Sequence, residues 1–520
     1  MIQVTMSSVP HTKRSRIDSQ SDESRNEYKG FLVPNEKFQV PEITTSNSNP
    51  IDPKRFYKEY ICQRRPVVIK GLLNSNDASD SNSADINSMM KLTSELIKLQ
   101  NLEHLRNQAG DEKVKVEKRS LTSESYGKGI EVEMTFSQFL NEMGQDAENS
   151  SSELYYLTTQ DVDCSSDGRP HLMSPLVRRI FQRQAIVASM KNSKEVIKDI
   201  TIPLQPELMG NLIPQNINIW MGKSKSGSSS GLHHDYHDNL YIVVKGQKRF
   251  RLFSPKDIDK MYTRGRVHGP IHVHPNGRIN YFNEPTTAYG ADLQSDKAAE
   301  AERKKEEAEG LLKAAEEDLE AGIDGAEERL ELAEAMLEEA MDALIDVEMD
   351  GEDDGKEASW IFGTEDDAYE DDDSDEEDDD GDEEEGDDTD DDIKAVPSNN
   401  EQSRLVDKTV KNPDNFSEID PSILDDESVL KKKYPKYIDA KSAFCTIGEG
   451  DMLYLPASWF HEVTSMGKCV YQNQDCDNND EDAGLHMAVN YWFHPPDAED
   501  NFAKPYSTDF WSNDFKLRSL

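Results

Sequence analysis

The stretch Leu232-His233-His234-Asp235-Tyr236-His237-Asp238-Asn239-Leu240-Tyr241 decides the prediction of the fold and of the site. It runs into Ile242-Val243-Val244, a β-branched run that is typical of a buried strand. Along a strand, side chains at i and i+2 lie on one face, so His233 and Asp235 point together. An imidazole nitrogen and a carboxylate oxygen on one face are two ligands for a divalent metal.

A third ligand is expected from a distant strand of the same β domain. Trp459-Phe460-His461 supplies an imidazole just after Gly450-Asp451-Met452-Leu453-Tyr454-Leu455-Pro456. Two histidines and one carboxylate with the other metal positions open are the ligand set of non-haem Fe(II) oxygenases. The predicted metal ligands are therefore His233, Asp235 and His461, and the predicted ion is Fe(II).

A buried cation is expected beside these ligands. Lys248 follows His233 by fifteen residues, with one strand and the tight turn Lys245-Gly246 between them. This path predicts that Lys248 lies on a neighbouring strand and faces the same interior. An ammonium there would pair with a dicarboxylate whose other end chelates the metal.

Short β-rich runs on both sides of a long interruption predict one split β domain. They indicate a barrel or a sandwich with helical additions. The runs are Ile217–Met221, Leu240–Val244, Phe250–Phe253, Ala443–Ile447, Met452–Leu455 and Met487–Phe493. The predicted parts are a disordered leader (1–28), an N-terminal α/β part (29–200), a first β half (201–287), an insertion (288–433), a second β half (434–500) and a tail (501–520).

Local signals place several elements before the first β half. Asp52 followed by Pro53 predicts a capped helix start, and Pro66–Lys70 reads as a buried strand that ends at Gly71. Thr135-x-x-Gln138 predicts a capping box, and Leu154–Leu157 is strand-like.

The insertion has two parts of different composition. Residues 296–348 are rich in Ala, Glu and Leu with a helical period, which predicts a helical hairpin or short coiled coil that turns at 322–325. An acidic tract, about 350–395, follows: 22 of the 28 residues from Glu365 to Asp392 are acidic, and it is predicted to be disordered.

The charge of the chain bears on its partners and its location. The formal net charge is −46, which disfavours direct nucleic-acid binding and favours basic protein surfaces. The five cysteines form no C-x-x-C pair, no secretory signal is evident and no run of apolar residues is long enough to span a membrane. We therefore expect a cytoplasmic or nuclear protein, with Lys13-Arg14-Ser15-Arg16 read as a solvated tail rather than an import signal.

Taken together, these motifs resemble the JmjC (jumonji C) family. The pattern is His-x-Asp, Asn-Leu-Tyr, Lys-Gly-x-Lys-Arg and a distant Leu-Tyr-Leu-Pro-x-x-Trp-Phe-His, with Ala488-Val489-Asn490-Tyr491-Trp492 further on. The resemblance covers about 30–275 and 434–496 and is strongest to the small protein hydroxylases of the family. It implies a double-stranded β-helix (cupin or jelly-roll) core, and an Fe(II)- and 2-oxoglutarate-dependent dioxygenase that hydroxylates a protein side chain, with lysine favoured.

The resemblance also implies roles for individual residues. His233, Asp235 and His461 would ligate iron, and Lys248 and Tyr156 would hold the distal carboxylate of 2-oxoglutarate. The cosubstrate pocket would also be lined by Asn239, Asn490, Trp220 and Ser230, where Ser230 stands in place of the threonine common in the family. The resemblance further implies dioxygen as cosubstrate and a protein substrate, and it is compatible with a homodimer, since related hydroxylases often dimerise. The acidic tract favours a basic partner such as a GTPase, ribosomal or histone surface.

Other interpretations of the same residues remain open. His237 keeps the i, i+2 spacing to Asp235, and His268, His272 and His274 are a candidate for a second metal site. We expect His234 and His237 to face solvent. The rival functions are a JmjC histone lysine demethylase and a non-catalytic acidic cupin scaffold or chaperone.

Overall fold

The computed structural model of the chain describes most of the region from residue 28 to residue 518. The described ranges are 28–46, 50–71, 88–120, 129–144, 153–165, 169–182, 200–224, 227–268, 271–281, 293–352, 414–467, 484–498 and 500–518. The predicted leader, apart from Tyr28, and the acidic tract from residue 353 onward lie outside these ranges. Tyr28 is buried, and its hydroxyl contacts the Phe31 carbonyl oxygen at 3.3 Å, so the ordered part includes the last residue assigned to the leader.

Within the described ranges, sixteen strands form two large sheets and one small ribbon. The strands are β1 (Phe38–Gln39), β2 (Glu42–Thr44), β3 (Val67–Lys70), β4 (Lys113–Ser120), β5 (Ile130–Thr135), β6 (Glu153–Leu157), β7 (Pro214–Lys223), β8 (Ser228–Ser229), β9 (Asp238–Lys245), β10 (Gln247–Phe253), β11 (His272–Val273), β12 (Ile279–Asn280), β13 (Ser442–Gly448), β14 (Met452–Leu455), β15 (Phe460–Met466) and β16 (Leu485–Phe493).

Helices surround this framework. The α-helices are α1 (Pro53–Phe56), which continues as a π-helical turn (Tyr57–Ile61), α2 (Ser88–Lys98), α3 (Leu102–Ala109), α4 (Phe136–Gly144), α5 (Pro175–Phe181), α6 (Leu293–Glu320), α7 (Ala326–Glu352), α8 (Glu427–Lys433), α9 (Pro435–Ile438) and α10 (Phe510–Leu517). None of the described helices is both long enough and apolar enough to cross a bilayer.

The two large sheets supply four strands each to a jelly-roll core. The larger sheet has the order β2-β3-β14-β9-β16-β7-β6-β4-β5, and the smaller has the order β1-β13-β10-β15-β8. Strands β14, β9, β16 and β7 are antiparallel neighbours in the first, as are β13, β10, β15 and β8 in the second. The predicted double-stranded β-helix core with helical additions is therefore confirmed.

The turn at Gly246 changes sheets rather than closing a hairpin. β9 pairs with β14 and β16, whereas β10 pairs with β13 and β15. Gly246 has φ 75°, and a Cβ there would lie 2.5 Å from the Met466 carbonyl oxygen, so a residue with a side chain would be strained at this corner. The prediction that Lys248 lies on a strand next to His233 was wrong in this respect, although Lys248 does face the interior between the sheets.

Strand β9 is buried on both faces, which explains its continuous apolar sequence. Leu240, Ile242 and Val244 pack in the cluster formed with the helices. Tyr241 and Val243 pack in the cluster between the two sheets. The face between the sheets is the one that carries the cavity described below.

The capping signals near the N-terminus are confirmed. The Asp52 carboxylate accepts a hydrogen bond from the Lys54 N–H at 3.1 Å. The Thr135 hydroxyl accepts from the Gln138 N–H at 3.2 Å, and the Gln138 side-chain oxygen accepts from the Thr135 N–H at 2.8 Å. Each exchange satisfies N–H groups that a helix start leaves without partners.

The predicted helical hairpin is present as α6 and α7, and the positive φ values of Gly322 and Gly325 form its turn. Alanines, rather than leucines, are its most buried residues. They repeat every seven residues in each helix, at Ala301, Ala308 and Ala315 and at Ala326, Ala333 and Ala340. Small side chains allow the two backbones to approach closely.

Candidate metal centre and adjoining cavity

Backbone pairing brings the two predicted histidine ligands side by side. His233 and His461 form an antiparallel bridge: the His233 N–H donates to the His461 carbonyl at 3.0 Å, and the His461 N–H donates back at 2.7 Å. Their rings lie 4.3 Å apart between centroids. The Asp235 carbonyl accepts from the Ser458 N–H at 2.7 Å, which ties the third ligand to the turn before β15.

The hydrogen bonds of the histidines leave one nitrogen of each ring directed at Asp235. The Nδ1 atom of His233 lies 3.0 Å from the Gly231 carbonyl oxygen, and that of His461 lies 2.9 Å from the Trp459 carbonyl oxygen. A carbonyl accepts only, so each Nδ1 carries the proton and each Nε2 keeps its lone pair. The Nε2 atoms lie 4.0 Å (His233) and 3.7 Å (His461) from the Asp235 carboxylate.

The electrostatics of this group fit a divalent cation. One ligand atom of each residue lies within 4.8 Å of the others. Burial lowers the pKa of His233 well below its usual value, and His461 adds to this shift. Burial raises the pKa of Asp235, an effect that His461 and Asn239 oppose. A neutral imidazole beside a buried carboxylate lacks the positive charge that a bound metal ion supplies.

The alternative histidines do not join the group. Within the described part of the chain, these three residues are the only set of at least three candidate ligands that converge. The rings of His272 and His274 touch, but no third ligand joins them there, and the side chain of His268 lies outside the described residues.

The prediction that His234 and His237 face solvent was wrong. Both are buried. The His234 Nε2 atom lies 2.8 Å from the Tyr281 hydroxyl oxygen, and His237 packs against Trp492 and His494. Both lie in the segment between the His233 bridge and β9, where rings from other parts of the chain cover them.

A cavity opens beside the candidate ligands. Its walls come from both sheets because side chains that face inward on each sheet meet there. The lining residues are Tyr156, Trp220, Ser228, Ser229, Ser230, His233, Asp235, Asn239, Tyr241, Phe250, Phe416, His461, Val463, Ser465 and Asn490. Of the predicted cosubstrate residues, only Lys248 is absent from this lining.

One wall is a hydrogen-bonded chain of three predicted residues. The Trp220 indole N–H donates to the Asn490 side-chain oxygen at 2.9 Å, and the Asn490 amide donates to the Asn239 side-chain oxygen at 3.1 Å. The chain fixes the orientation of both amides next to Asp235. Its role in cosubstrate binding stays a prediction.

Lys248 lies directly behind the cavity wall. It has 0% exposure, and its ammonium donates to the Ser465 hydroxyl at 2.6 Å and lies 3.4 Å from His486 Nδ1. Burial lowers the pKa of Lys248 to about 7, and no carboxylate of the described residues pairs with its ammonium. A buried cation without a counter-charge is stabilised by an anion that enters the cavity.

Ser230 lines the cavity, but its hydroxyl is hydrogen-bonded to main-chain groups. It donates to the Gly231 carbonyl at 2.9 Å and accepts from the Val463 N–H at 3.0 Å. Ser465, which the sequence analysis did not select, is the hydroxyl that accepts from Lys248, and Ser228 lies opposite Ser465 on β8.

Comparisons with known proteins agree with this geometry. The family model for the cupin-like domain matches residues 53–499. JmjC domain-containing protein 4 of Schizosaccharomyces pombe is 30% identical over 500 residues, covering 92% of this chain and 89% of the relative. The chain belongs to the cupin-like JmjC family.

Two other relatives match only part of this JmjC chain. Lysine-specific demethylase JMJ32 of Arabidopsis thaliana is 41% identical over 81 residues, or 16% of this chain and 20% of the relative. Human bifunctional peptidase and (3S)-lysyl hydroxylase JMJD7 is 39% identical over 61 residues, or 12% of this chain and 14% of the relative. JmjC proteins are typically 2-oxoglutarate-dependent oxygenases and normally use Fe(II).

Phe416 is a cavity residue of this JmjC chain that the sequence analysis missed. It lies in the part of the chain predicted as insertion, yet its ring stacks on His233 at 4.7 Å with an angle of 8° between the planes. The neighbouring Asn415 side chain donates to the His234 carbonyl at 2.6 Å. The segment around Phe416 therefore completes the wall beside His233, where Phe416 bridges His233 and Ser417 bridges Thr263.

A buried ion pair supports the turn before His461. The Asp238 carboxylate accepts from both guanidinium nitrogens of Arg64, from the Tyr454 hydroxyl at 2.8 Å and from the Ala457 N–H at 2.8 Å. These bonds tie β9, β14 and the Pro456–Ser458 turn together. The pair positions the ligands without contacting the cavity.

Proposed function

We propose that this JmjC protein is an Fe(II)- and 2-oxoglutarate-dependent dioxygenase that hydroxylates a protein side chain, lysine being the favoured target. The observation that carries the proposal is the convergence of two Nε2 lone pairs and one carboxylate at the mouth of a cavity with a buried cation behind its wall. An oxygenase of this class needs a metal site at one end of a pocket and an anion site at the other.

His233, Asp235 and His461 would hold the iron. When bound there, iron would supply the activation of dioxygen that is coupled to the oxidative decarboxylation of 2-oxoglutarate to succinate and carbon dioxide. The Nδ1 hydrogen bonds of the two histidines keep both rings in the ligating orientation.

The remaining side chains orient the cosubstrate and keep water away. Tyr241, Phe250 and Val463 give the cavity apolar walls, which protect a reactive oxidant from water. Burial raises the pKa of Tyr156, so its phenol stays protonated and is able to donate a hydrogen bond to a carboxylate.

Demethylation of an N-methyl lysine is the second candidate, supported by the similarity to the demethylase JMJ32. Mass spectrometry of a lysine-containing peptide library with iron, ascorbate and 2-oxoglutarate separates the two. Gain of one oxygen supports hydroxylation, and loss of a methylene unit supports demethylation. If neither substrate class leads to succinate release, and if His461→Ala still binds its client protein, the non-catalytic scaffold is the supported function.

The same proposal extends to partners and location. A chain with net charge −46 favours a basic client such as a GTPase, ribosomal or histone surface, and its capture should weaken as salt rises. We place the protein in the cytoplasm, the nucleus or both, and we expect a homodimer. Fractionation and sedimentation of the full chain test these points.

A further inference from the structure

The end of the cavity remote from the candidate metal ligands carries a row of polar side chains from neighbouring strands. Lys248 on β10 lies opposite Ser465 on β15, and Ser465 lies opposite Ser228 on β8. Residues in register across neighbouring strands share a face. Two inward-facing positions along β15, His461 and Ser465, therefore mark the metal end and the remote end of one wall.

Arg119 extends this row from the larger sheet. It lies on β4, and its Nη2 atom donates to the Ser228 hydroxyl, which lines the cavity. Arg119 also lies close enough to Tyr156 to oppose the rise in the pKa of that phenol. The row thus runs from one cation, through two hydroxyls, to a second cation.

Among the described residues, no carboxylate forms an ion pair with the guanidinium of Arg119. Its exposure is 6%, and its Nε and Nη1 atoms make no hydrogen bond within the described part of the chain. No ion pair joins it to a carboxylate of a described residue; Glu117, two residues earlier, accepts from the Gly129 N–H instead. A buried guanidinium with free donors is costly unless an anion satisfies it.

We propose that Arg119 is a second cationic binding residue for the distal carboxylate of 2-oxoglutarate, held at the Ser228–Ser465 row together with Lys248. The proposal rests on the proposed function. It makes Arg119 a specificity-determining residue that selects a 2-oxo dicarboxylate over a 2-oxo monocarboxylate.

The two cations have complementary properties. Burial lowers the pKa of Lys248 to about 7, so its charge near neutral pH is incomplete. Arginine stays charged throughout this range and offers two parallel donors to a carboxylate. A pocket with both residues keeps a fixed positive charge whatever the protonation state of the lysine.

The test measures binding without turnover. Calorimetry of the full-length protein loaded with Mn(II) compares 2-oxoglutarate with 2-oxopentanoate, in which a methyl group replaces the distal carboxylate. For Arg119→Met we expect affinity for 2-oxoglutarate to fall roughly 10- to 100-fold, the size of a lost charged hydrogen bond. Affinity for 2-oxopentanoate should change by less than about twofold, because its methyl group cannot pair with the guanidinium.

Three further variants serve as a conservative replacement, a matched control and a second test of the same row. Arg119→Lys keeps the charge and should restore part of the preference. Arg249→Met is the matched control, because Arg249 lies beside Lys248 on β10 but is exposed and bonds Thr464. Ser228→Ala removes the hydroxyl that holds the guanidinium, and it carries the test if Arg119→Met does not fold, with a selective loss of roughly three- to tenfold expected.

Each outcome is decisive. Equal losses for both oxo acids, or no loss for either, in Arg119→Met and Ser228→Ala would overturn the role of Arg119 while leaving the proposed function standing. If the wild-type protein loaded with metal binds neither oxo acid, the proposed function fails and this inference fails with it.

Discussion

The two ends of the cavity are built on different electrostatic principles. At the metal end, the two histidine side chains bond to backbone carbonyls and the one formal charge is the carboxylate of Asp235. At the remote end, Lys248 and Arg119 are buried cations that face hydroxyls. The metal end therefore suits a cation and the remote end suits an anion. The cavity fits a ligand that binds a metal at one end and carries a carboxylate at the other.

The largest effect is expected when a candidate metal ligand is removed. His461→Ala should abolish binding of one Mn(II) per chain and lower 2-oxoglutarate turnover by more than about 100-fold, because two ligands hold a metal poorly. Metal content after dialysis and succinate release measure this.

His272→Ala is the matched control for that variant. It should keep one metal per chain, because His272 contacts only His274 among the candidate ligands described. A His461→Ala protein that retains full metal occupancy would remove the basis of the site.

Breaking the remote end should separate binding from stability. Lys248→Met should lower the affinity for 2-oxoglutarate by roughly 100-fold. It should also raise the free energy of unfolding of the unliganded protein at pH 7 by about 1–3 kcal/mol. The sign follows from the pKa: lysine is protonated in the unfolded chain, and burial lowers its pKa to about 7, so burying it costs free energy below its unfolded pKa. Denaturant titration and calorimetry on the same samples give both quantities. A less stable variant with unchanged affinity contradicts the account.

Raising the pH sharpens the contrast between the ends. A bound carboxylate favours the charged form of Lys248, so binding takes up a proton once the pH exceeds about 7. Affinity for 2-oxoglutarate should fall by up to about tenfold per pH unit between pH 7 and 9, whereas that for 2-oxopentanoate should stay flat. His486 and Tyr156 lie close to the Lys248 ammonium, and burial keeps both neutral in this range. Proton uptake by calorimetry in two buffers checks this, and equal pH dependence of the two ligands would count against it.

The smallest expected effect concerns the wall beside His233. Phe416→Ala removes the ring that stacks on this ligand, so metal affinity should fall roughly tenfold while the selectivity between the two oxo acids is kept. Phe444→Ala, on the outer face of β13 against Arg251, is the control for loss of an aromatic ring. A change of oxo-acid selectivity in Phe416→Ala would show that the two ends are not independent.

Local sequence signals predicted much of this molecule. The i, i+2 spacing of His233 and Asp235, the Thr135-x-x-Gln138 capping box and the hairpin turn at 322–325 depend on residues close in the chain. Such patterns are legible because strand alternation and helix capping are short-range effects.

Burial of the neighbours was harder to predict. His234 and His237 lie in the segment before β9, and sequence alone did not show that Tyr281, Trp492 and His494 cover their rings. The change of sheet at Gly246 is of the same kind, because a two-residue turn signal does not say which strands will pair.

Local motifs were enough to predict the family, six of the eight jelly-roll strands and the three candidate metal ligands, because these signals depend on residues close in the chain. Two features are visible only in the folded chain. One is the row formed by Arg119, Ser228, Ser465 and Lys248, and the other is the stacking of Phe416 on His233. The physical reason is that register between strands distant in the chain is fixed by the packing of the whole core.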